Sequence, residues 1–244
     1  MAKHHATCAI VGAGDYIGAA IARKFASEGF TVFAGRRNVE KLDTLKAEIE
    51  EAGGLLETRK LDARREEEVK AFLEEADRTA PLEVVIANPG GNVNFPVLET
   101  TERVFFKVWE MACKAGFLTG REAARLMLAR GKGSIFFTGA TASLRGGTGY
   151  AAFASAKAGL RMVAQSMARE MGPQNIHVAH LVIDAAVDTA FVRERIRTAR
   201  GDVKIPDGAL MEPASVAEAY WMLHNQDRDA WTFEMDLRPF GEKW

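Results

Sequence analysis

The sequence is short of cysteine, tyrosine and proline, and has no marked excess of either charge. Its two cysteines, Cys8 and Cys113, are too few for a disulfide framework and too isolated to build a metal centre. The five histidines add no ligand spacing. His177 and His180 lie three apart on a predicted strand and so face opposite ways, which suits structural roles. A formal net charge of −1 offers neither nucleic acid nor an anionic membrane an electrostatic handle, and suits a small neutral or anionic ligand. No segment reaches the roughly 18 uninterrupted apolar residues of a membrane span. The opening "MAKHHATCAIVGAG" has no apolar run of signal-peptide length, so a reducing, cytoplasmic setting is the expectation. Repeats, low-complexity tracts and proline-rich linkers are absent too, which leaves one domain over 1–244.

What is present is a regular alternation. Short apolar runs, "ATCAIV", "TVFAG", "LLETRKL", "LEVVIAN", "GSIFFTG" and "IHVAHLVI", read as strands, and the longer amphipathic stretches between them read as helices. Strands separated by helices need crossover connections, which predicts a mostly parallel sheet covered on both faces: an α/β, doubly wound, Rossmann-type fold. The least patterned stretch, 185–212, mixes charges with Gly and Pro in "VRERIRTARGDVKIPDG". It reads either as a solvated helix and loop or as a lid on the substrate side of a pocket.

The first predicted strand runs into "VGAGDYIGAAIARKF", with Gly12, Gly14 and Gly18 at a sharp strand-to-helix turn. Such a turn aims backbone N–H groups and the positive end of a helix, here opening near Ile17, at a pyrophosphate. A second strand follows about 20 residues on, as dinucleotide binding requires. Where an acidic residue would hold a ribose 2′-hydroxyl, the sequence has Arg36 and Arg37, two guanidinium groups suited to a 2′-phosphate. NADP is therefore expected as cofactor over NAD. The competing reading has both arginines paired with Glu40 or solvent.

From these motifs the chain resembles the short-chain dehydrogenase/reductase family over nearly its whole length. The family's nucleotide turn carries three glycines, here Gly12, Tyr16 and Gly18, so Tyr16 introduces a side chain where backbone ordinarily nears phosphate. The resemblance assigns Asp62, followed by Ala63, to the adenine edge. It assigns Asn88, Pro89 and Gly90 to the family's Asn-Ala-Gly turn, and places Thr189 near the threonine that bonds the nicotinamide carboxamide. Ile183 and Asp184 replace the usual Pro-Gly ahead of it.

The catalytic set is where the sequence departs from the resemblance. Lys157 matches the family lysine, but the tyrosine four residues before it is Phe153, the serine position is Ala140, and the asparagine position is Cys113. A phenyl ring moves no proton. Thr141, beside Ala140, substitutes for the serine only if the strand end shifts by one. Tyr150 stands seven residues before Lys157, two turns at 3.6 residues per turn, and shares its face if one helix spans both. Some enoyl-thioester reductases of the family place a tyrosine there. Tyr150 is thus the leading proton donor, with Thr141 and Cys113 as fallbacks. Three readings stay open: an NADP-dependent oxidoreductase acting on a carbonyl or conjugated carbonyl, an enoyl-thioester reductase, and a weak or silent NADP-binding sensor or subunit. The helices near 101–130 and 150–171 are apolar on more than one face, and family members pair through them, so a homodimer or homotetramer is expected.

Overall fold

In the computed structural model, residues 5–201 and 204–241 are described; His4, and residues 202 and 203 of the expected lid, fall outside them. The chain alternates as expected through β1 (Thr7–Val11), α1 (Ile17–Ser27), β2 (Thr31–Arg36), α2 (Asp43–Glu51), β3 (Leu55–Lys60), α3 (Glu66–Thr79) and β4 (Leu82–Ala87). It continues with α4 (Glu102–Trp109), α5 (Ala115–Leu128), β5 (Gly133–Thr138), α6 (Ala151–Met171), β6 (Ile176–Ile183), α7 (Ala190–Arg200), α8 (Pro213–His224) and β7 (Glu234–Leu237).

The seven strands form one parallel sheet in the order β3-β2-β1-β4-β5-β6-β7. Successive strand residues point to opposite faces, so β1 feeds two cores. Cys8 and Ile10 join the core under α1 and α8, while Ala9 and Val11 join the one under α3, α5 and α6. The order turns back between β1 and β4, and the crevice beyond their carboxyl ends is where open α/β sheets bind ligands. All six strands read from the sequence are present. The edge strand β7 is an addition: it is four residues long, only partly buried, and shows no apolar run.

Three local features shape the crevice. Gly12 has φ +88°, and a Cβ there would lie 2.8 Å from the Pro89 nitrogen, so the nucleotide turn and the Asn88–Gly90 turn pack backbone to backbone. A π-helical turn, Glu110–Lys114, joins α4 to α5 and carries Cys113. Helix α6 begins at Ala151, which leaves Tyr150 just outside it. No described helix is long and apolar enough to cross a membrane.

The two strand histidines are buried on opposite faces. His177 stacks on Trp231 with ring centroids 4.9 Å apart. His180 meets Glu234 at 3.0 Å, and burial holds its pKa down to about 4.

Candidate active site

A cavity of about 590 Å³ opens at the carboxyl ends of β1, β2 and β4. Its floor is backbone. A Cβ on Gly14 would meet no protein atom within 4 Å, so the turn offers bare peptide and a helix end to a ligand. The residues fit a dinucleotide's pyrophosphate there. Gly18 makes a different contact, since a Cβ would come 2.7 Å from the Ala13 Cα and push α1 off the turn.

At the ribose end the two arginines separate. Arg36 is ion-paired to Asp15, not to Glu40, whereas Arg37 is exposed at the cavity wall with no ion pair among the described residues. Asp62 and Ala63 also line this end. The hydrogen bonds from Arg64 to the Asp62 carboxylate, at 2.6 and 2.8 Å, hold its pKa down to about 2.

The Asn88 side chain ties the two turns together by donating to the Gly12 carbonyl at 2.9 Å. Its oxygen accepts from the Thr138 hydroxyl at 2.9 Å. Thr138 has one hydroxyl proton, so the 2.7 Å contact with Tyr220 must be donated by Tyr220. Tyr220 is fully enclosed on α8, and burial pushes its phenol up. The sequence reading missed Thr138 and Tyr220. The available signal was a lone phenol inside the apolar "AYWML" of α8.

Lys157 lies directly behind Gly90, whose Cβ would sit 3.5 Å from its Nζ. Lys157 is 4% exposed, and its amine donates to the Thr138 carbonyl at 2.8 Å. Burial lowers its pKa to about 8. The Phe153 ring is 6.0 Å from this nitrogen, and the Phe153 and Tyr150 ring centroids are 6.5 Å apart. The Tyr150 hydroxyl accepts from Arg195 of α7 at 3.2 Å, which leaves its own proton for another acceptor. Because α6 starts after Tyr150, the shared helical face expected for Tyr150 and Lys157 does not form; the loop aims the phenol at α7 instead.

The fallback residues face other partners. The Thr141 hydroxyl donates to Asp184, a carboxylate 1% exposed that also pairs with Arg238 at 3.0 Å and Arg145 at 3.2 Å. Two guanidinium groups and a hydroxyl compensate the buried charge. The Cys113 sulfur packs against α6 at Gly159, where a Cβ would approach it to 3.0 Å, and burial pushes the thiol up.

Tyr16 turns out of the cavity. Its ring lines the neighbouring groove between α1 and α8, and its hydroxyl accepts from the Ala190 N–H at 3.0 Å. Ile17, the first residue of α1, packs into the core beside it. Thr189 caps the same α7 end by accepting from the Val192 N–H at 3.0 Å.

Comparison with known proteins places this arrangement. A family model for short chain dehydrogenases matches residues 6–200. The chain is 64% identical to a short-chain dehydrogenase of known crystal structure from Rhodopseudomonas palustris, with a TM-score of 0.85 over 97% of this chain and 100% of that one. It is 26% identical to a 3-oxoacyl-[acyl-carrier-protein] reductase of Thermotoga maritima, over 90% of each chain. A variant of actinorhodin polyketide ketoreductase, solved with NADPH, superposes with a TM-score of 0.87 at 25% identity over 98% of both chains.

Proposed function

The chain belongs to the short-chain dehydrogenase family and is an oxidoreductase, and from that premise we propose that it uses NADPH to reduce a carbonyl or conjugated carbonyl compound, with Tyr150 as the proton donor. The observation that carries the reading is Lys157: a buried amine with a pKa near 8, facing the dinucleotide crevice behind Gly90. Such burial of a lysine is costly, and costs of this kind concentrate at functional sites.

In this proposal the backbone of Gly12–Gly14 holds the pyrophosphate, and Arg37 meets a 2′-phosphate. Asp62 and Ala63 border the adenine, and Asn88 keeps the two turns in register. Thr189, whose hydroxyl proton is not used in capping, bonds the carboxamide. Among the described residues Lys157 has one acceptor, so its remaining N–H groups hold the nicotinamide ribose. When bound, the nicotinamide supplies the hydride. Tyr150 gives its proton to the substrate oxygen, and Phe153 forms an apolar wall between phenol and amine. Segment 185–212 closes over the mouth as a lid, keeping water from the site. Thr141 and Cys113 are weaker donors, the first held by Asp184 and the second by burial.

A second reading has support in the residues at the family's catalytic positions. Phe153, Ala140 and Cys113 suit a protein that binds NADP and turns over little. The deciding experiment is NADPH oxidation with a panel of carbonyls, quinones and enoyl thioesters. Turnover that Lys157→Ala abolishes and Tyr150→Phe lowers about 100-fold supports the enzyme. Tight NADPH binding without turnover on any panel member supports the silent protein. Fluorescence titration is expected to give NADPH about tenfold tighter binding than NADH, an advantage that Arg37→Ala removes more fully than Arg36→Ala. Equal affinities in the wild type overturn the NADP preference.

A further inference from the structure

The geometry points to an acidic substrate: we propose that Arg195 takes the carboxylate of a 2-oxo or 3-oxo acid whose carbonyl oxygen meets the Tyr150 hydroxyl. This rests on the reduction proposed above and adds the substrate class. The carbonyl carbon gains a hydride and its oxygen gains the Tyr150 proton, so the product is a hydroxy acid and NADPH leaves as NADP+.

Among the described arginines of α7 and those gathered at Asp184, charge pairing singles out Arg195. Arg193 is paired with Asp188 and Arg197 with Glu194, while Arg145 and Arg238 share Asp184. Among the described residues Arg195 has no carboxylate partner. Its contact is the Tyr150 phenol at 3.2 Å, which uses one N–H and leaves an edge of the planar fork open. A carboxylate fits such an edge with two parallel bonds.

The contact also fixes direction. It turns this face of α7 toward the loop ahead of α6, where the Tyr150 ring lies 6.5 Å from that of Phe153, itself 6.0 Å from the buried Lys157 amine. An anion on the open edge lies roughly 4–6 Å from the Tyr150 oxygen by ordinary hydrogen-bond lengths. A carbonyl oxygen at hydrogen-bond distance from the phenol can then stand about 3–4 Å from that carboxylate, the separation a 2-oxo or 3-oxo acid provides. Apolar surface is at hand for the rest of the molecule. Phe191, four residues before Arg195 on the same face of α7, is 72% exposed. Phe95 is exposed too, and its N–H bonds the Gly149 carbonyl next to Tyr150.

The test pairs acids with neutral isosteres: pyruvate and acetoacetate against their methyl esters, with NADPH. Wild-type protein is expected to favour the acids by about tenfold or more in kcat/KM, mainly through KM. Arg195→Gln collapses that ratio, and Arg195→Lys keeps part of it. A second readout needs no turnover: calorimetric titration of malonate, which the reaction cannot reduce, is expected to show binding that weakens at least tenfold in Arg195→Gln. If acids and esters are reduced alike and malonate is indifferent to Arg195, the anion site is overturned while the reductase stands. If malonate binding depends on Arg195 but nothing on the panel is reduced, the anion site stands and the proposed reaction falls.

Discussion

Among the described residues Lys157 faces a carbonyl and a phenyl ring but no carboxylate, and burial disfavours its ammonium form. A folded pKa of about 8, against 10.5 for a freely solvated lysine, means that the unfolded chain binds more protons between those two pH values. Folding stability therefore rises as pH climbs through that window, by about 3 kcal/mol in total, and carries a constant penalty below it. Urea melts from pH 7.5 to 10.5 are expected to show a positive slope that Lys157→Met removes relative to wild type. Identical slopes in the two proteins would place the amine in a wetter, less perturbed setting. The lysine was legible from its sequence motif; its depressed pKa was not, because desolvation is set by Thr138, Gly90 and Phe153, which lie far from or on one side of it along the chain. Arg195 was illegible for the same reason. Nothing in "FVRERIRTAR" tells which guanidinium meets Tyr150, 45 residues earlier, and which meets a neighbouring acid.

At the scale of elements, α7 is tied down at its start by two side chains, Thr189 from its own cap and Tyr16 from the nucleotide turn. Tyr16 thus joins the glycine turn after β1 to the proposed lid, and its substitution for glycine acquires a physical use. Removing one such hydrogen bond is worth about 1 kcal/mol, or about fivefold in the population of an opened state. Limited trypsin digestion is expected to cut after Arg193, Arg195 or Arg197 about five times faster in Tyr16→Phe, read by mass spectrometry. An unchanged rate would reduce the contact to an incidental one. Strand β7 teaches a related lesson. It is short and half-exposed, and it pairs only with β6, where Glu234 meets His180 and Arg161. Its position is decided by these partners: Met235 and Leu237 alternate with Glu234 and Asp236, but over four residues the alternation is too short to announce a strand without them.

For the whole molecule, several large apolar side chains remain outside the core: Phe106 and Trp109 on α4, Phe117 on α5 and Met162 on α6, each 38–54% exposed. A monomer in water gains nothing from this arrangement, and we take these helices as the surface on which a second copy packs. Light scattering at micromolar concentration is expected to give a multiple of 26.7 kDa, with Phe117→Glu shifting the mass toward the single chain. A 26.7 kDa species for the wild type would overturn it.

The sequence by itself determined the parallel sheet, the nucleotide turn and the position of Lys157. These follow from short-range causes: two-residue alternation along strands, amphipathic spacing along helices, and glycine where φ is positive or backbones touch. Tertiary structure alone decided where the substituted side chains point. Tyr16 turns away from the crevice at the carboxyl ends of the strands, Tyr150 stops short of α6 and meets α7, Arg36 pairs with Asp15 while Arg37 stays open, and Tyr220 crosses from α8 to Thr138. Each outcome depends on a partner from a distant segment, brought within hydrogen-bond reach only when the sheet forms. Local spacing carries no information about such partners, because a buried polar or charged group takes whichever complementary group the packed elements put beside it.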